Sequence, residues 1–138
     1  MEKPKEEAEL EIVLKPIGII RSPIVDPHRA PLQGSESAVR GKLIVDEQYT
    51  DALFGLEKGM KIVIVYWMHL AERDIFQVYP RGDRTRPVRG VFSTRSPDRP
   101  NPISLDTVEI TGIDGAVIDV IGLDAVDGTP LLDIKCVV

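Results

Sequence analysis

A chain of 138 residues, 43% hydrophobic and 28% charged, is sized for one globular domain with a core of its own. A formal net charge of −5 argues against holding polyanions through the bulk surface, and no apolar run approaches the roughly 20 residues of a membrane span. The lone Cys136 excludes an internal disulfide, and with only two histidines the sequence offers no metal-ligand spacing.

Residues 1–10 read as a frayed segment rich in Lys, Glu and Pro, without the apolar stretch of a signal peptide, so a cytoplasmic setting is expected. Residues 11–138 read as the folded domain. Leu10–Ser22, apolar on either side of Pro16, predicts one strand kinked at the proline. Pro23–Ser37, punctuated by Pro23, Pro27, Pro31 and Gly34, predicts a long loop of the kind that often carries function. Within it, His28-Arg29-Ala30-Pro31-Leu32-Gln33 supplies polar groups suited to lining a pocket, while His28, a lone loop histidine, reads as solvated. Ala38–Val45 is a second strand. Asp46 is placed to cap a short helix that uses Leu53 and Phe54 for contacts and stops at Gly55 or Gly59. Met60–Met68, almost wholly apolar, predicts a strand buried on both faces or covered by a second subunit. His69 follows it, either hydrogen-bonded at the core margin or standing at the mouth of a site.

Ile75–Tyr79 is a short strand, Pro80–Asp83 a turn, and Val88–Thr94 another strand that leads into a loop unlike any other in the chain. Pro97, Pro100 and Pro102 fix φ and push the preceding residues into extended conformations, leaving little freedom to lose on binding. Arg95, Arg99 and Asn101 on this stiff loop suit phosphate, carboxylate or a base edge, although a solvated connection is built the same way. Between positions 81 and 99, Arg81, Arg84, Arg86, Arg89, Arg95 and Arg99 face only Asp83 and Asp98. Such a basic stripe on an acidic body suits a nucleic acid or merely solvates a loop.

Ser104–Thr111 and Ala116–Ile121 flank Asp114-Gly115, a strong hairpin signal. The loop Leu123–Pro130 carries Asp124 and Asp127 and reads locally as an Asx turn. Leu131–Val137 is the last strand, with Cys136 expected as a small buried hydrophobe. About seven to nine short strands with no alternating helices predict an all-β fold, a small closed or partly open β-barrel with one short helix and long functional loops. No catalytic triad, Walker loop or dinucleotide fingerprint is present. Residues alone lead to a barrel whose loops Pro31–Gln33, Arg95–Pro102 and Asp124–Pro130 are placed to converge on one pocket.

The run Gly90-Val91-Phe92-Ser93-Thr94-Arg95-Ser96-Pro97-Asp98-Arg99-Pro100-Asn101-Pro102-Ile103, with Asp127-Gly128-Thr129-Pro130-Leu131-Leu132-Asp133-Ile134-Lys135 downstream, resembles the TsaA-like family of TrmO-type tRNA adenine-N6 methyltransferases. The likeness extends to Pro16–Pro23, Gln33, the Leu53–Gly59 helix and the Val63–His69 strand. It implies a homodimeric β-barrel enzyme that transfers a methyl group from S-adenosylmethionine to N6 of threonylcarbamoyl-adenosine beside the anticodon. By that resemblance the donor contacts are Pro31, Leu32, Gln33, His69, Leu70, Arg95, Leu105, Val126, Asp127, Gly128 and Thr129. His69 and Asp127 are candidate proton acceptors, and Arg81, Arg84, Arg86, Arg89 and Arg99 are candidate tRNA contacts. Two departures stand out: Leu32 occupies a position where a basic residue is common, and the sequence stops at Val138, short of the extra carboxyl-terminal domain of bacterial members. Docking of tRNA is therefore expected to differ. The competing reading is a non-catalytic barrel that binds RNA or a nucleotide.

Overall fold

The computed structural model describes residues 10–26 and 38–138. Among these residues eight strands follow in chain order: β1 Gly18–Arg21, β2 Arg40–Val45, β3 Lys61–Trp67, β4 Gln77–Val78, β5 Arg89–Gly90, β6 Ile103–Asp114, β7 Val117–Ile121 and β8 Thr129–Cys136. Six close a barrel in the order β1-β2-β7-β6-β3-β8, with every neighbouring pair antiparallel. β4 and β5 pair separately. The expected small all-β barrel is what the chain forms, and closure leaves its six strands without a free edge.

Period-two patterning fills the inside. Ile62, Ile64 and Tyr66 of β3 point inward with Val108 and Ile110 of β6, and meet Ile20, Leu43, Val45, Ile118, Val120 and Leu131 from the other strands. Each such side chain contributes about 1.5–3 kcal/mol on full burial. The β3 strand is not buried on both faces as its apolar run implied: Val63, Val65 and Trp67 are half-buried on the outer side. Register shifts at Val65/Tyr66 against β8 and at Ile110/Gly112 against β7 bend the ladders round the closure. At Gly18 a side chain would run into the backbone carbonyl of Ile44, so the β1–β2 approach requires glycine there.

Several local expectations change. β1 covers only Gly18–Arg21; Leu10, Ile12 and Val13 lie outside any strand and are exposed. The expected helix is a 3-10 helix over Glu47–Leu53 in which the Asp46 side chain makes no capping bond; Leu53 packs on the core, but Phe54 is 97% exposed. Ile75–Tyr79 contracts to Gln77–Val78, and Val88–Thr94 to Arg89–Gly90 followed by a 3-10 turn, Val91–Ser93. That turn wins because the Ser93 hydroxyl donates to Gly90 O and the Thr94 hydroxyl to Val91 O, diverting the chain from a ladder. Cys136 is exposed at the end of β8, not buried. The Asp114-Gly115 hairpin forms as read, with Gly115 at φ +59°.

Strand register sorts the connections onto two rims. Trp67 lies opposite Ile103, Ile20 opposite Thr129 and Arg40 opposite Ile121. The connections leaving β1, β3 and β7 therefore emerge at one end, the open rim, bringing the Arg95–Pro102 and Asp124–Pro130 loops to the same side. The Glu47–Leu53 turn and the β6–β7 hairpin close the other end.

Candidate functional site

On the open rim the prolyl loop is braced by its own arginine. Arg99 Nε donates to Ser96 O at 2.9 Å, and Nη2 to Val91 O at 2.9 Å and Thr94 O at 2.8 Å. Three backbone carbonyls thus take the Nε and Nη2 hydrogens of the side chain read as a phosphate contact. Successive hydroxyl turns tighten the same loop: Ser96 N–H donates to Thr94 Oγ1 and Asp98 N–H to Ser96 Oγ. The loop is also laced to the turn after β3. Glu72 N–H donates to Asp98 Oδ1 at 2.9 Å and Arg99 N–H to Glu72 O at 3.1 Å, while Arg73 Nε donates to Pro100 O at 2.6 Å. Arg73 also lies 5.3 Å from the Trp67 ring centroid. Sequence reasoning passed over Glu72 and Arg73; their signal, charged residues in a tight turn, was too common to single out.

The Met68–Ala71 turn presents His69 and Leu70 to solvent, and His69 makes no hydrogen bond or ion pair with the described residues. Leu105 faces outward opposite Val65 at 48% exposed. Arg95 is exposed. In the last loop, Gly128 sits at φ +82°, and Thr129, buried, donates its hydroxyl to Val126 O at 2.6 Å. Asp127 ties this loop to β1: Ser22 N–H donates to Oδ1 at 3.1 Å, and Arg21 pairs with Oδ2 at 3.5 Å. No bond joins His69 to Asp127 among the described residues. Pro31, Leu32, Gln33 and His28 lie outside those residues.

Arg81, Arg84, Arg86 and Arg89 are exposed around β4 and β5. Arg84 lies 5.2 Å from the Tyr79 ring centroid, Arg86 pairs with Asp83 at 3.6 Å, and Arg81 takes φ +54°. Beside them, Phe76, Gly90, Val91, Phe92, Ser93 and Pro100 line an apolar hollow of about 410 Å³, with Phe92 80% exposed.

Below the rim lies a cluster that sequence reading missed. Asp106, 5% exposed, points into the barrel in phase with Val108 and Ile110. Its Oδ2 is 3.0 Å from Tyr66 Oη, which also donates to Asp124 Oδ1 at 2.6 Å. Burial, then the hydrogen bond with Asp124 and its charge, push Asp106 up to about 8. Burial, then Asp106 and Asp124, hold the Tyr66 phenol well above its usual range. A carboxylate in step with inward aliphatics was the available signal.

Comparisons with known proteins agree with this architecture. The profile of the tRNA-methyltransferase O N-terminal domain matches residues 19–138. A Methanothermobacter thermautotrophicus protein named a probable S-adenosyl-L-methionine-binding protein is 45% identical over 128 residues, covering 93% of this chain and 91% of that protein. An Archaeoglobus fulgidus S-adenosyl-L-methionine-binding protein is 43% identical over 124 residues, 90% of this chain and 88% of its own. A crystal structure of TrmO from Pseudomonas aeruginosa superposes with a TM-score of 0.74 at 29% identity, over 94% of this chain and 57% of that one. This chain thus spans little more than half of that solved chain. With the profile match running from β1 to the final residue, the chain belongs to the tRNA-methyltransferase O N-terminal domain family.

Proposed function

We propose that this protein is an S-adenosylmethionine-dependent tRNA methyltransferase, acting on N6 of threonylcarbamoyl-adenosine beside the anticodon. The observation that carries this reading is the gathering of the braced prolyl loop, the His69 turn and the Val126–Thr129 turn on one rim, in a chain of this family. The donor set fits: exposed Leu70 and Leu105 offer apolar contact for a nucleoside, and the glycine turn at Gly128 offers close backbone approach. Arg95 offers a fork for the donor's carboxylate. Pro31, Leu32 and Gln33 would complete the wall. Bound there, S-adenosylmethionine supplies an electrophilic methyl group on a sulfonium.

The chain's own task is to orient the acceptor nitrogen, exclude water and take a proton from N6. His69 is better placed than Asp127 to accept it. Both Asp127 oxygens already have partners, Ser22 N–H and Arg21, whereas His69 has none among the described residues. The RNA approaches across β4 and β5, where Arg81, Arg84, Arg86 and Arg89 meet phosphates and Phe76 and Phe92 offer faces for an unstacked base. Arg99 serves first as a loop brace in this scheme. The half-buried outer stripe of Val63, Val65 and Trp67 is the surface offered to a second copy in a homodimer, and acting on tRNA implies the cytoplasm.

Methyl-labelled donor incubated with the protein and total tRNA, followed by nucleoside digestion and mass spectrometry, tests this reading. Label on the N6 of threonylcarbamoyl-adenosine is expected. Binding of donor and tRNA without transfer would leave the non-catalytic barrel as the better account.

A further inference from the structure

The three described segments of the proposed donor site that follow or adjoin barrel strands each contribute one member to the buried cluster beneath them. Tyr66 precedes the His69–Leu70 turn, Asp106 adjoins Leu105, and Asp124 opens the stretch that carries Val126–Thr129. Tyr66 Oη lies 2.6 Å from Asp124 Oδ1 and 3.0 Å from Asp106 Oδ2, and the Asp124 N–H reaches that same Oδ2 at 3.4 Å. A phenol has one proton. If the Tyr66 proton goes to Asp124 along the shorter contact, the phenol oxygen faces Asp106 lone pair to lone pair unless Asp106 itself carries a proton. Two ionised carboxylates on one buried phenol oxygen would also repel each other in a poorly solvated site. Both contacts are satisfied at once when the cluster holds one proton more than the phenol supplies.

We propose that Tyr66, Asp106 and Asp124 form a positioning cluster, sharing one extra proton, that fixes the His69–Leu70, Leu105 and Val126–Thr129 segments in the arrangement that receives the methyl donor. This rests on the donor reading given above. The groups acting on Asp106 are Asp124, from the β7–β8 loop, and Tyr66, from β3; Ser104, on β6 itself, also bonds Tyr66. With Asp106 raised to about 8, the extra proton is held below that pH and leaves above it. Its loss sets two carboxylates against one phenol. Asp124, the half-buried member on a loop, is then the one displaced, carrying the Val126–Thr129 turn with it.

Calorimetric titration with S-adenosylhomocysteine, a donor product stable in alkali, at about pH 7 and about pH 9.5 tests the cluster in wild type and Asp106→Asn. The amide is uncharged at both pH values and still both donates and accepts. Wild type is expected to weaken about tenfold more than Asp106→Asn between the two conditions, a difference in which the ligand's own titrating amine cancels. Parallel profiles, or a wild-type affinity that ignores pH, would overturn the proposal even if Asp106→Asn lowers the melting temperature. Tyr66→Phe, which keeps the ring and removes the shared hydroxyl, provides the same readout should Asp106→Asn fail to fold; its profile is expected to differ from wild type, and an identical one counts against the cluster. Absence of binding at every pH would sink the donor reading and this inference together, whereas binding without the pH difference sinks this inference alone.

Discussion

The two rims of the barrel solve opposite problems with the same strands. The closed rim uses a seven-residue 3-10 helix, a tight glycine hairpin and the close β1–β2 approach at Gly18, and bonds such as Thr50 Oγ1 to Glu47 O and Glu57 N–H to Met60 Sδ span only three residues. Among the described residues, the open rim holds the backbone of its connections with side chains: Arg99 on three carbonyls, Arg73 on Pro100, Asp98 on Glu72 and Asp127 on Ser22. One end is fixed by steric necessity and the other by charged hydrogen bonds. The comparison teaches that loops can be ordered without regular structure, provided each orphan carbonyl or amide finds a side-chain partner.

Substitutions at the two rims should therefore separate stability from binding. Gly18→Ala should have the largest effect, about 3 kcal/mol of lost stability read by denaturant unfolding, because the Ile44 backbone must move. Its donor affinity per folded molecule should be unchanged. Arg99→Ala should cost about 2 kcal/mol and also impair donor binding, since three charge-assisted bonds to the prolyl loop vanish at once. Equal effects of these two on donor affinity would erase the distinction between the rims. Arg95→Ala, which removes no bond seen among the described residues, should leave the melting temperature in place and weaken donor binding about tenfold by calorimetry. Gly115→Ala, at φ +59° on the closed rim, should lose about 1 kcal/mol with methyl transfer intact. The smallest change is expected from Arg84→Gln with Arg89→Gln: the salt dependence of tRNA binding should flatten by about one unit for each phosphate no longer neutralised.

The closed rim and the ring of strands were largely readable from the chain. Asp114-Gly115 announced its hairpin, and strand runs such as Ala38–Val45 and Leu131–Val137 fell where β2 and β8 form. The β3 strand misled only about its outer side, because Val63, Val65 and Trp67 are apolar yet half-exposed and so hide the alternation. The open rim was legible in position, as three polar loops, but not in its bonding. Arg99 looks like a ligand fork in sequence because its acceptors are backbone carbonyls, which carry no residue signature. The Ser93 and Thr94 hydroxyls turned an apparent strand into a 3-10 turn for the same reason. Asp106 was hidden differently: its partners are 40 and 18 residues away and meet it only once the barrel has closed.

A ring has no outermost stave. Because β1 completes the circle against β8, lengthening or rewriting a rim connection unzips no neighbour and bares no sticky flank for stray chains. Natural selection is thereby left free to tinker with what the open mouth recognises while the hoop beneath it stays as it was.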